Sequence, residues 1–251
     1  MPLVPPVITT TLFIFSPCIF YLCFYIDFFC YNIYNYIMNR NYYQEFLNTT
    51  QNINKNKKPK LLLHVCCAPC SSHCLSELEP YFDITVFYYN PNISPFEEYV
   101  RRLNEEKRFV KEVYPNINVI DAKYDNESFE QLAKGFENLK EGGERCKKCY
   151  RLRLEQTAQF AKENGFDFFT TTLTVSPYKH SATLNEIGED VAKQYEVDYL
   201  FSDFKKNNGY QHSIELSKQY NLYRQDYCGC KYSKDYKEKL KMIKEKLNLI
   251  D

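Results

Sequence analysis

From Lys60 onward, short apolar runs alternate with stretches of helical period, and that alternation restricts the chain to βαβ units and a mainly parallel sheet. Lys60 to Val65 reads as a strand, followed by a loop at Cys66-Cys67-Ala68 and a helix from Pro69 through Leu78. Asp83 to Tyr89 reads as a second strand, ended by Asn90-Pro91-Asn92. Ser94-Pro95-Phe96-Glu97 has the form of a capping box, opening a helix with Phe96, Val100, Leu103 and Val110 on its apolar stripe. A third strand is predicted over Asn118 to Ala122, then a helix around Ser128 to Asn138. Beyond Gly142-Gly143, a helix begins near Cys146 and Cys149 and ends near Gly165. Phe166 to Val175 reads as a strand, and a helix follows to about Tyr195. Asp198 to Phe201 is the last strand and Ser213 to Tyr220 a helix; Ser233 is placed to cap a final helix with Leu240, Ile243 and Leu247 inward.

The 251 residues suffice for one substantial core, and no internal repeat is visible. Three segments are expected: an apolar stretch over 1–37, a polar leader over 38–58, and a single α/β domain over 59–251. Met1 to Ile26 carries no charge and is long enough to span a bilayer, since about 20 apolar residues suffice. It lacks the positive n-region of a signal peptide, because no Lys or Arg precedes Arg40, and Pro5, Pro6 and Pro17 interrupt it. Translation is therefore expected to start at Met38, the upstream residues being a start-site artefact or an appendage and a true membrane anchor being the alternative; no functional membrane partner and no role for Cys18, Cys23 or Cys30 is expected. Thirty-two basic and thirty-two acidic residues cancel, so any contact with nucleic acid must come from a local patch.

Six of the eleven cysteines fall into three tight groups: Cys66-Cys67, Cys146-x-x-Cys149 and Cys228-Gly229-Cys230. Several convergent sulfurs bind a soft metal or exchange electrons, and without the even framework of a secreted miniprotein they favour a reducing, cytoplasmic setting. Helix N-termini and neighbouring cations lower thiol pKa values, and the run Glu144 to Arg153 sets five basic residues around Cys146 and Cys149. Arg151 and Arg153 read either as a solvated face or as phosphate contacts. For the C-x-x-C alone, structural zinc or a thioredoxin-like dithiol are the alternatives. Joined to Cys66 and Cys67, whose consecutive side chains are expected to diverge, it suits a 4Fe-4S cubane better than one tetrahedral ion. Cys70 is close enough to serve as a substitute ligand or site thiol, whereas Cys74 reads as a buried helix residue. Cys228-Gly229-Cys230 reads as a redox switch or as two structural thiols at a turn, with Gly229 giving the backbone freedom a small ring requires.

With those residues laid out, the chain resembles the epoxyqueuosine reductase family QueH. The resemblance rests on five motifs in order: His64-Val65-Cys66-Cys67-Ala68-Pro69-Cys70-Ser71, Tyr88-Tyr89-Asn90-Pro91-Asn92-Ile93, Arg145-Cys146-Lys147-Lys148-Cys149-Tyr150, Thr171 to Lys179, and Tyr227-Cys228-Gly229-Cys230. It extends over Leu61 to about Tyr232; the apolar N-terminal segment is not part of the pattern. The resemblance implies a Rossmann-like sheet of the adenine-nucleotide hydrolase type and reduction of epoxyqueuosine to queuosine at the wobble position of tRNA. It further implies a 4Fe-4S cluster on Cys66, Cys67, Cys146 and Cys149, and a redox-active disulfide between Cys228 and Cys230. The partners are then tRNA carrying epoxyqueuosine and an unidentified electron donor.

Deoxygenating an epoxide to an alkene takes two electrons and two protons, so an acid is needed at oxygen; Asp226, Tyr227 and His64 are candidates, Asp226 foremost. His64 reads equally as a hydrogen-bonded strand end. Tyr88, Tyr89, Tyr178, Lys179 and the basic run near Cys149 are candidate RNA contacts. Two rivals remain. An ATP-dependent tRNA-modifying enzyme on a similar sheet wants a glycine-rich loop after the first strand, where this chain has Cys-Cys-Ala-Pro-Cys. A zinc-stabilised RNA-binding module would carry zinc in place of iron.

Overall fold

The computed structural model describes residues 40–247, without the side chains of residues 246 and 247, so the expectations for the first 37 residues and for Leu247 lie outside the described residues. Five strands, β1 (Lys60–His64), β2 (Asp83–Tyr88), β3 (Asn118–Asp121), β4 (Phe168–Thr171) and β5 (Asp198–Tyr199), form one sheet in the order β3-β2-β1-β4-β5. Every pairing is parallel; Leu61, for example, lies opposite Ile84 on one side and Phe168 on the other. The α/β expectation is met.

Around the sheet stand α1 (Tyr42–Gln51), α2 (Ala68–Leu78), α3 (Phe96–Val113), α4 (Asn126–Ala133), α5 (Glu144–Glu163), α6 (Ser181–Tyr195), α7 (Gly209–Gln219) and α8 (Lys231–Leu247). Successive side chains of a strand point to opposite faces, and β1 divides its leucines accordingly. Leu61 and Leu63 join Phe46 of α1, Leu75 and Leu78 of α2, and Phe109 of α3 in one core, whereas Leu62 joins Leu154, Ala158 and Ala161 of α5 and Val191 of α6 in the other. A central strand with both faces covered explains the unbroken Leu-Leu-Leu run. No helix among the described residues is long and apolar enough to cross a membrane.

Several local expectations change. The polar leader contains α1, whose Tyr42, Phe46 and Thr50 recur every fourth residue and are buried; the Phe46 ring meets Phe204 at 5.5 Å, so α1 packs on the same core as the strands and helices that follow residue 59. No capping box forms: Pro95 is the N-cap of α3, the Ser94-Pro95 peptide is cis, and no side chain caps that end. Helix α4 is capped by Asp125, which accepts from Ser128 N, and stops at Ala133 ahead of Gly135 at φ +80. Strand β4 ends at Thr171, whose hydroxyl accepts from Leu173 N and turns the chain into a 3-10 helix over Thr172–Val175. Strand β5 is two residues long, and α7 starts four residues earlier than predicted, at Gly209 where a Cβ would lie 2.3 Å from His73 Nε2. Ser233 lies inside α8, and Leu240 and Ile243 are 40% and 53% exposed rather than inward.

Candidate active site

Chain order runs outward from β1 through β2 to β3, then returns to β4 on the opposite side of β1. The crevice beyond the carboxyl ends of β1 and β4 is thus a topological switch point, the place where open parallel sheets bind ligands. Cys66 stands there, its Sγ 4.0 Å from Thr172 Oγ1 of the turn after β4.

The chain turns at Cys67, which is the N-cap of α2 with an extended backbone (φ −173, ψ 152). That turn folds Cys70, in the first helical turn, back towards the doublet. The sulfurs of Cys66, Cys67 and Cys70 lie within 4.8 Å of one another, the Cys66 and Cys67 sulfurs being 3.7 Å apart. The adjacent side chains therefore converge, contrary to the expected divergence, and the three together can hold a metal ion. Cys70 belongs to this group, and Cys74 is buried in α2 as expected.

Helix α5 brings the second pair. Cys146 packs with Tyr150, Leu173 and Cys66 in one apolar cluster, and Cys149 packs with Cys230 in another. Cys228 lies near enough to both that its charge would raise their pKa values. All three cysteine groups thus come together, with every described cysteine a free thiol, Cys228 and Cys230 included.

Charge is distributed differently from the sequence expectation. Burial pushes the Cys149 thiol up to about 11 and raises Cys146 as well, outweighing the cations around them. The thiol held well below its ordinary range is Cys66, which shares hydrogen bonds with the Cys67 and Cys70 sulfurs and faces Arg153 and Lys179.

Arg153 is neither solvated nor a surface phosphate contact: it is 1% exposed. Its Nη2 donates to Asn90 Oδ1 at 2.7 Å, and Asn90 Nδ2 donates to the Val65 carbonyl at 2.8 Å, tying α5 to the loops after β1 and β2. It also bonds Cys149 and acts on Cys66 and Cys228, so one guanidinium serves sulfurs from all three groups. Arg151 instead pairs with Asp190 and Glu155 at the surface.

A further buried arginine, missed in the sequence, positions the C-x-C turn. Arg102 of α3 donates to Glu98 Oε1 at 2.7 Å and to the carbonyls of Cys228 and Tyr227 at 3.2 and 3.4 Å. Ser94 N donates to the Gly229 carbonyl and Tyr227 Oη donates to the Ser94 carbonyl. Gly229 has φ +122, and a Cβ there would lie 2.9 Å from Ile93 Cγ1 and 3.1 Å from Arg102 Nη1, so this position admits no side chain without displacement. The available signal was the Glu98/Arg102 spacing of four on a helix, which many surface pairs share.

A cavity of about 490 Å³ opens beside the sulfurs, lined by Cys66, Cys70, Cys228, Arg153, Lys179 and Gln225 among others. Lys179 is half-buried in its wall. Burial opposes its charge, but Cys228, Tyr150, Cys66 and Cys70 together hold the ammonium protonated above the usual lysine range. Gln225 Oε1 is buried with no hydrogen-bond partner, an acceptor left over at the cavity wall.

The proton-donor candidates are placed unequally. Asp226 borders the cavity, but its side chain is 76% exposed and ion-paired with Lys237 at 2.6 Å. That pairing keeps the carboxyl below its ordinary range, a base's charge state rather than an acid's. His64 is buried between Thr171 Oγ1 at 2.8 Å and the Tyr89 carbonyl at 3.1 Å, and burial with nearby Arg153 lowers it to about 3; it is the hydrogen-bonded strand end. Tyr88 and Tyr89 are core residues, out of reach of a base, whereas Tyr178 is 78% exposed.

Comparison with known proteins gives the chain's family. Residues 61–236 match the family model described as epoxyqueuosine reductase QueH. An epoxyqueuosine reductase QueH of Streptococcus pyogenes serotype M1 is 46% identical over 180 residues, covering 70% of this chain and 71% of the relative. One from Staphylococcus epidermidis is 44% identical over 70% of this chain and 77% of its own length. One from Thermotoga maritima is 36% identical over 69% of this chain and 89% of its own length. The match begins one residue into β1 and takes in all three cysteine groups, Arg102, Arg153 and Lys179, so this chain belongs to the epoxyqueuosine reductase QueH family of oxidoreductases.

Proposed function

We propose that the chain reduces epoxyqueuosine to queuosine in the wobble position of tRNA, in the cytoplasm, using a 4Fe-4S cluster on Cys66, Cys67, Cys146 and Cys149 and a Cys228/Cys230 dithiol couple. The observation that carries this is the meeting of three cysteine groups, from distant parts of the chain, beside one cavity at the switch point of the sheet. The donor set suits the cluster: the ligands are all thiols, and Arg153 and Lys179 beside them offset the negative charge that thiolates and sulfide bring. When bound, such a cluster supplies electrons singly.

The remaining chemistry falls to this chain's residues. Converting an epoxide to an alkene releases its oxygen as water and takes up two electrons and two protons. Oxidising the Cys228 and Cys230 thiols to a disulfide releases two electrons and two protons, so the couple balances one turnover, and an external donor restores the thiols. Lys179 is the cavity cation placed to hydrogen-bond the departing oxygen and give it a proton. Gln225 Oε1, without a partner, supplies an acceptor for a hydroxyl or amine of the base's substituent. Arg102 and Ser94 hold the C-x-C turn against the cavity.

The spacing of the Cys66, Cys67 and Cys70 sulfurs favours a second reading, a zinc-stabilised module. Thiolates on one zinc at about 2.3 Å stand roughly 3.8 Å apart, close to the 3.7 Å of the doublet. An anaerobic assay separates the two. Protein, tRNA containing epoxyqueuosine and a chemical reductant are incubated, and the nucleosides are weighed. Loss of one oxygen from the modified base is expected. Unchanged epoxyqueuosine with iron-loaded protein refutes the proposed reaction.

A further inference from the structure

We infer that the exposed face of α8 is a docking surface for the RNA strand flanking the nucleotide in the cavity, an inference that rests on the function proposed above. The helix carries Tyr236, Leu240 and Ile243 at intervals of four and three, which puts them on one face, and all three are at least 40% exposed. Tyr236, Lys237 and Leu240 line the cavity, so this face continues the cavity wall outward. Tyr178, 78% exposed, lines the same cavity from the loop before α6. Two accessible tyrosines thus border the entrance of a site meant for one base.

Charge selects the occupant. The chain is neutral overall, yet α8 holds seven lysines against three acidic residues. By helical spacing Lys237 and Lys244 fall on one flank of the apolar stripe and Lys239 on the other. An apolar and aromatic stripe between cations is the pattern that stacks splayed bases while contacting phosphates on both sides. A nucleotide delivered into the cavity remains joined to its neighbours, which must cross this rim. The family match ends at Tyr236, so Lys239, Leu240, Ile243 and Lys244 lie beyond the matched residues.

The test measures binding of the full-length protein to epoxyqueuosine-containing tRNA by fluorescence anisotropy, between roughly 50 and 200 mM salt. Tyr236→Ala is expected to weaken binding about fivefold, the low end of a stacking contribution for an exposed ring. The double variant Lys239→Gln/Lys244→Gln is expected to reduce the slope of log affinity against log salt by roughly 1.5. Both changes are at exposed positions, and thermal melts verify that the variants fold. If the wild-type protein binds this tRNA and both variants match it in affinity and slope, the surface is overturned while the reaction stands. If the wild type does not bind tRNA, the functional reading falls and this surface with it. Sedimentation equilibrium in which the variants dissociate a dimer, at unchanged tRNA affinity, assigns the face to a second copy of the chain and also overturns the inference.

Discussion

Replacing Lys179 with Met is expected to lower turnover of epoxyqueuosine-containing tRNA by about 10²- to 10³-fold, in the range for loss of a positioned acid or oxyanion donor. The expectation follows from what surrounds the ammonium. Lys179 lies in the cavity wall among Cys66, Cys70, Cys228 and Tyr150, whose combined influence overcomes burial and keeps it charged. The other acid candidates are committed elsewhere: Asp226 to Lys237, His64 to Thr171 and Tyr89, and Tyr227 to the Ser94 carbonyl. Met keeps the length and apolar stem of lysine, so the wall remains packed and iron content should stay at the wild-type level. Lys179→Arg should recover part of the rate, since it retains a cationic donor with different geometry. Single-turnover rates and iron content measured on the same preparations check this. Turnover of Lys179→Met within threefold of wild type removes the residue from the mechanism.

The second large effect is on assembly. Arg153→Met is expected to lower stability by about 3 kcal/mol, the scale for removing one partner from a buried charged network. For a domain of this size that corresponds to roughly 6–12 °C in Tm. Four separate losses contribute: the bond to Asn90 that joins α5 to the β1 and β2 loops, the bond from Nε to His64 Nε2, the bond to Cys149, and the charge facing Cys66 and Cys228. The last should matter most for metal. Without it, thiolates gathered in a buried site lose their main counter-charge, and iron retained after anaerobic reconstitution should fall severalfold. Thermal melts and iron assays check both parts. A variant that retains iron and melts like the wild type would show that the guanidinium is dispensable.

How much of this was legible in the sequence differs by element. The sheet was, because β1, β2 and β4 carry apolar runs bounded by turn residues, and a central parallel strand needs little else to declare itself. Helix α1 was not, since its buried positions Tyr42, Phe46 and Thr50 are interleaved with Asn, Gln and Thr, and only their period of four distinguishes them from a polar leader. The capping box failed for a specific reason: Ser94 matches the pattern, but its backbone groups serve the Gly229 and Tyr227 loop, a long-range contact that no local motif encodes. Leu240 and Ile243 have the spacing of an inward stripe, yet periodicity states that a face is apolar without stating what covers it.

The site shows the same division. Cysteine spacing identified the three groups. It put Cys70 within reach as a substitute ligand, and Cys70 does join Cys66 and Cys67; what it did not reveal is that the doublet's own side chains converge, because that depends on the turn at Cys67 and on where α2 begins. Local cations suggested low pKa values at Cys146 and Cys149, whereas burial raises both and the lowered thiol is Cys66. Arg153 looked like one more surface cation in a basic run. Only the fold places it beneath the sulfurs.

If Cys146 and Cys149 share one cluster with Cys66 and Cys67, losing a single one of the four thiols should strip the cluster. Iron and acid-labile sulfide, counted per chain in anaerobically reconstituted wild type and in Cys149→Ala, decide this. About four iron and four sulfide per chain in the wild type, with a clear deficit in Cys149→Ala, are expected. Zinc without sulfide in the wild type, or an unchanged cluster in Cys149→Ala, contradicts a cluster shared by these four thiols.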